Sequence, residues 1–188
     1  MKITKQGNTE IFGPEGLEIR PMSEVEIKRI EYIAPNLLPS GKLVLIGGQP
    51  ATGKTQAVLG WIAALTTGRP FPFCSSAIEP KSALFVSAED DPEDTLKPRL
   101  EAAGADMERV FVWDATPAEG GRKRASFLLS RDLEAFEQTL RDNPDIVLVC
   151  FDPISAFVGA KDSHRDSDVR EVLGPLCNLA AKYGVCVI

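Results

Sequence analysis

The stretch GGQPATGKT, residues 47–55, leaves this chain few ways to fold. It follows the apolar run KLVLIG (42–47) and opens a segment, 53–67, that spaces Val58, Ile62 and Leu65 along one helical face. A buried strand, a tight glycine-rich turn and a helix are therefore expected in direct succession, and such a unit needs a sheet to lie on. Residues 48–55 also fit the spacing GxxxxGK followed by Ser or Thr. The glycines let backbone N–H groups converge without Cβ clashes, and the following helix adds the positive end of its dipole. That arrangement suits phosphate oxygens, with Lys54 opposite the β- and γ-phosphates and the Thr55 hydroxyl as a Mg²⁺ ligand. Gly48, Gln49, Pro50, Ala51, Thr52, Gly53, Lys54 and Thr55 are the expected nucleoside-triphosphate loop.

The rest of the chain repeats the same alternation. ALFVSAE (83–89), RVFVWD (109–114), DIVLVCFD (145–152) and VCVI (185–188) read as strands. Between them, DDPEDTLKPRLEAAG has an acidic start and a glycine stop, SRDLEAFEQTLRDN opens at Ser130, and 168–183 forms a last helix with Asp168 and Glu171 at capping spacing. Strands apolar throughout, separated by amphipathic helices, predict an α/β fold: a mostly parallel sheet with helices on both faces. Residues 1–40, rich in Gly, Pro and charge, read as an N-terminal arm with a short alternating piece, EVEIKRIEYI, as an edge element; 41–188 is the core.

Composition narrows the functional classes. With 188 residues, 44% hydrophobic and 26% charged, the chain suits one ordinary soluble domain. A formal charge of −6 argues against gripping nucleic acid by bulk electrostatics, though not against a local basic loop. No apolar stretch approaches the roughly 18 residues of a membrane span, and the N-terminus has no apolar signal core, so a cytoplasmic location without membrane contact is expected. Cys74, Cys150, Cys177 and Cys186 lack close pairing, and three lie in apolar runs, which predicts buried free thiols.

Two carboxylates extend the phosphate-loop reading. Asp152 ends the strand IVLVCFD, at the sheet edge where open α/β sheets bind ligands, and is placed to organise the metal. The position after it, a frequent site for a catalytic Glu, is Pro153. Glu89, at the end of ALFVSAE, is the alternative base for an attacking water; it reads equally well as part of an acidic helix start. The basic run Arg122-Lys123-Arg124 reads first as a solvated loop. In the loop 157–168, lone His164 forms no triad or metal set, and Lys161, His164 and Arg165 are candidate contacts for a threaded strand.

The order of parts, LLPSGKLVLIGGQPATGKT, ALFVSAEDDPEDTLKPRLEAAGADMERVFVWD, LSRDLEAFEQTL and DIVLVCFDPISAFVGAKDSHRDSDVREVLGPL, resembles the RepA-type ATPases of plasmids and phages, within the RecA superfamily. The resemblance covers roughly residues 20–188. It implies ATP and Mg²⁺ as cofactors, Gln56 as an addition to the triphosphate cradle, Glu89 as the catalytic glutamate and Asp152 as the magnesium-organising aspartate. It further implies a RecA-like sheet with extra strands between the phosphate-loop and magnesium strands. A hexameric homo-oligomeric ring, a channel loop for single-stranded DNA at 157–168, and contact with other replication proteins belong to the same expectation. In the family the strand matching VCVI runs on to a basic residue that reaches the neighbour's γ-phosphate; this sequence stops at Ile188, which points to a longer protein or a partner and predicts poor turnover by residues 1–188 alone. The leading function is a replicative-helicase motor domain or related replication ATPase. A kinase for a small acceptor and a nucleotide-gated loader or adaptor with little turnover are the alternatives.

Overall fold

A computed structural model of the chain describes residues 3–6, 9–12, 21–113, 127–158 and 166–188. The chain divides into two compact units, Met1–Ile30 and Glu31–Ile188. The first holds an antiparallel hairpin, β1 (Ile3–Gln6) and β2 (Thr9–Phe12), and a short 3-10 turn at Met22–Glu24. Of the alternating piece EVEIKRIEYI, residues 25–31 form no strand and Ile27 is 98% exposed, while Tyr32 and Ile33 enter the first strand of the second unit.

The second unit opens with a small antiparallel pair, β3 (Tyr32–Ala34) and β4 (Leu38–Pro39). Helix α1 (Lys54–Thr67) follows, then β5 (Ser82–Ser87), α2 (Lys97–Ala103), β6 (Val110–Val112), α3 (Leu129–Asp142), β7 (Ile146–Asp152), α4 (Asp166–Tyr183) and β8 (Cys186–Val187). Four strands make one parallel sheet in the order β6-β5-β7-β8. Leu43 adds a parallel bridge to Val187 beyond β8, so β8 lies between the segment leading into the glycine loop and β7. The resemblance implies extra strands at this place; among the described residues one, β8, lies there.

Why two layers of helices form is written in the strands. Successive side chains of a strand point to opposite faces, and here both faces are apolar. Ala83, Phe85, Leu148, Cys150 and Cys186 pack with Val58, Leu59, Ile62 and Leu65 of α1 and Leu100 of α2. Leu84, Val86, Val149, Phe151 and Val187 pack on the other face with Phe136 and Leu140 of α3 and Leu176 and Ala180 of α4. Ala34 and Leu38, from the β3–β4 pair, are fully buried in the first of these cores. The second core is aromatic-rich: Phe151 lies 5.7 Å from Phe136 and 5.5 Å from Phe157 by ring centroids, both edge-on. Such pairs add about 0.5–1.5 kcal/mol each beyond the area they bury.

Several boundaries differ from the sequence reading. KLVLIG forms a single bridge, Leu43 to Val187, and not a strand; Val44 N–H donates to Val187 O at 2.8 Å, while Leu45 is 63% exposed. The strand expected over 83–89 ends at Ser87, which leaves Glu89 beyond the sheet edge. Helix α3 is not opened by Ser130: the Asp132 carboxylate reaches back to accept from Leu128 N–H at 2.9 Å. Gly68 does end α1, at φ +71°, and a Cβ there would come within 2.8 Å of Ile78 O. At the opposite end of the sheet from the glycine loop, Asp145 accepts from Ser82, Lys81 and Arg109. The Ser82 hydroxyl and the two cations hold its carboxyl below the ordinary range.

All four cysteines are free, but only Cys150 and Cys186 are buried; Cys177 is exposed on α4 and Cys74 is partly exposed. Cys177 thus corrects the expectation of burial: it lies between the core-facing Leu176 and Leu179, on the outer side of the helix. Burial pushes the Cys186 thiol up to about 12, and burial together with the Asp152 charge raises Cys150 further. Since the thiolate is the nucleophile, native protein at pH 8 is expected to take up iodoacetamide at Cys74 and Cys177 only, with Cys150 and Cys186 reacting after denaturation. Peptide mapping that found Cys150 alkylated in the native state would contradict this packing.

Candidate functional site

The site sits where β5, β7 and the start of α1 meet. Parallel strands place their C-terminal ends on one edge, and ligands of open α/β sheets bind there. The register aligns Ser87 of β5 with Asp152 of β7, and the next N–H, of Ala88, donates to Asp152 O at 3.1 Å. Asp152 ends β7, and Glu89 follows the end of the adjacent strand by two residues.

The glycine loop closes the third side. Gly53 caps α1 at φ +84°, a left-handed conformation that suits glycine, and its carbonyl accepts the first helical bond from Ala57 N–H. Ala51, at φ 59°, takes the same conformation without glycine's freedom. Lys54 Nζ arches back over the loop and donates to Gly48 O at 3.0 Å and Gln49 O at 2.8 Å. The Thr52 hydroxyl donates to the same Gln49 carbonyl at 2.9 Å. At the second position of the helix, the Thr55 hydroxyl donates to Asp152 Oδ2 at 2.6 Å, a bond between residues 97 positions apart.

These groups surround a cleft of about 560 Å³, lined by Gly48, Pro50, Ala51, Thr52, Gly53, Lys54, Thr55 and Gln56 together with Glu89, Arg99, Asp152 and Pro153. That volume suits a drug-sized or nucleotide-sized ligand. Gln49 contributes its carbonyl to the loop's bonding but does not line the cleft. The donor set fits a magnesium–triphosphate: a lysine ammonium, a helix N-terminus, and a hydroxyl and carboxylate already in contact. Among the described residues no cluster of three or more His, Cys, Asp or Glu could hold a metal without such a ligand.

The acidic run after β5 divides its labour. The Asp91 carboxylate accepts from Glu93 N–H at 2.8 Å and caps the turn Pro92–Leu96 that leads into α2. Asp90 pairs with Arg99 at 2.9 Å. Glu89 lines the cleft and makes no hydrogen bond or ion pair among the described residues. The helix-start role thus falls to Asp91, and Glu89 is left on the cleft wall. Arg99 is the lining residue that sequence reasoning missed; its signal was a cation ten positions past Glu89 in a helix that returns to the same edge. Lys161, His164 and Arg165, and the basic run 122–124, lie outside the described residues. Asp168 and Glu171 fall within α4, which begins two residues before the expected start.

A parallel sheet, a glycine loop capping a helix, and two carboxylates at the C-terminal sheet edge around one cleft define a P-loop nucleotide-binding domain. Residues 15–188 match the family model of the AAA domain, and the chain belongs to that family of P-loop ATPases. No match to a curated protein was found. Among the described residues no helix is long and apolar enough to cross a membrane.

Proposed function

We propose that this chain is an ATP-hydrolysing motor module that works on single-stranded DNA during replication, as part of a hexameric ring. The observation that carries the ATPase reading is the convergence of Lys54, the Thr55–Asp152 pair and Glu89 on one cleft. Thr55, with Asp152 behind it, would hold Mg²⁺, which when bound neutralises charge on the β- and γ-phosphates. Lys54 binds the same oxygens, and the α1 N-terminus adds its dipole. Glu89 orients a water on the γ-phosphate and accepts its proton. Water attack on phosphorus then displaces ADP as the leaving group and yields inorganic phosphate.

The resemblance to RepA-type ATPases supports the DNA part of the reading, with Lys161, His164 and Arg165 as strand contacts. Three cationic or partly cationic side chains within five sequence positions suit a phosphate backbone even on an acidic protein. ATP turnover measured with and without oligo-dT, alongside sizing in ATP and Mg²⁺, tests this. From the low turnover expected of residues 1–188 alone, DNA should raise the rate, with ring assembly expected of a chain carrying its natural continuation, and the triple alanine variant at 161, 164 and 165 should lose the stimulation alone. Turnover indifferent to DNA would remove the motor reading and leave an ATPase of another role.

A further inference from the structure

Arg99 belongs neither to the glycine loop nor to the acidic strand ends, yet it lines the cleft they form. Helix α2 is seated by Leu96 just before it and by Leu100, both buried against the first core. That seating turns the intervening Arg99 outward, toward the sheet edge. Its Nη1 donates to Asp90 Oδ2 at 2.9 Å, and Asp90 is itself tied down: its N–H donates to Ser87 Oγ at 2.9 Å. Ser87 is the last residue of β5 and pairs with Asp152. A short line of contacts thus runs from the metal-side strand end through Ser87 and Asp90 to a guanidinium on the cleft wall. An exposed ion pair of this kind contributes little to stability, so packing alone does not account for a cation held there.

We propose that Arg99 senses the terminal phosphate of a nucleoside triphosphate from within the same chain, with Asp90 as its positioning residue. This rests on the nucleotide reading of the cleft. Asp90 occupies one end of the guanidinium fork and fixes its plane, while the remaining donors match a phosphate group. The consequence is selectivity: a diphosphate leaves Arg99 without its ligand, and a triphosphate engages it.

The test is the ratio of affinities for ADP and for a non-hydrolysable ATP analogue, both with Mg²⁺, measured by titration of the whole chain. Arg99→Ala should weaken the analogue about tenfold, the scale of one charge-assisted hydrogen bond, and leave ADP within about twofold. Arg99→Lys, which keeps the charge and loses the fork, should restore part of the ratio, and it decides the matter if the alanine variant folds poorly. Asp90→Asn should lower the ratio by a smaller factor in the wild-type background and change nothing in the Arg99→Ala background, because it acts through Arg99. An unchanged ratio in Arg99→Ala, or equal weakening of both nucleotides, overturns the proposal while leaving the cleft a nucleotide site. Wild-type protein that binds neither nucleotide overturns both.

Discussion

Glu89→Gln is expected to bind ATP as tightly as the unaltered chain and to hydrolyse it at least about 100-fold more slowly. The amide fills the same space at the cleft wall but is a far weaker base. Because Glu89 makes no hydrogen bond or ion pair among the described residues, the substitution breaks no structural contact there, and the melting temperature should stay within a degree or two. Single-turnover hydrolysis with protein in excess separates this effect from binding and from product release. Unimpaired hydrolysis by the variant would move the base elsewhere and leave Glu89 as one more acidic residue before the helix.

Lys54→Ala should act one step earlier. Its ammonium is the one charge the glycine loop brings to the outer phosphates, and charge-assisted bonds contribute about 1.5–3 kcal/mol each. Affinity for ATP should fall roughly 10- to 150-fold. The lysine also ties Gly48 and Gln49 carbonyls together, so the loop loses two bonds at the same time. Those carbonyls are exposed and water replaces the lysine, which confines the damage to the loop and spares the fold.

Much of this was legible in the sequence, for identifiable reasons. The phosphate loop is local: Gly53 must take a left-handed conformation and Lys54 and Thr55 must follow it, so spacing alone carries the message. The strands β5 and β7 are apolar on both faces, which only a doubly covered parallel sheet explains. Long-range facts were harder. KLVLIG is as apolar as a strand, but its ladder is a single bridge to Val187, a long-range pairing that local apolarity does not specify. Ser130 has the right chemistry for a helix cap, yet α3 already begins at Leu129, and Asp132 reaches back to accept from Leu128 N–H. The acidic run at 89–91 could not be apportioned from composition, since capping, ion pairing and catalysis all favour carboxylates there. Only the return of α2 to the sheet edge assigns Asp90 to Arg99. Arg99 itself carried no motif; its place in the cleft depends on how Leu96 and Leu100 seat the helix.

The most direct measurement is a calorimetric titration of ATP into the 188-residue chain and into Lys54→Ala, each with and without Mg²⁺. A cleft built from Lys54, Thr55 and Asp152 should give one site per chain, tighter with Mg²⁺ than without, and weakened roughly 10- to 150-fold by the substitution. Equal affinity in both proteins, indifferent to Mg²⁺, would show that ATP binds somewhere other than this cleft.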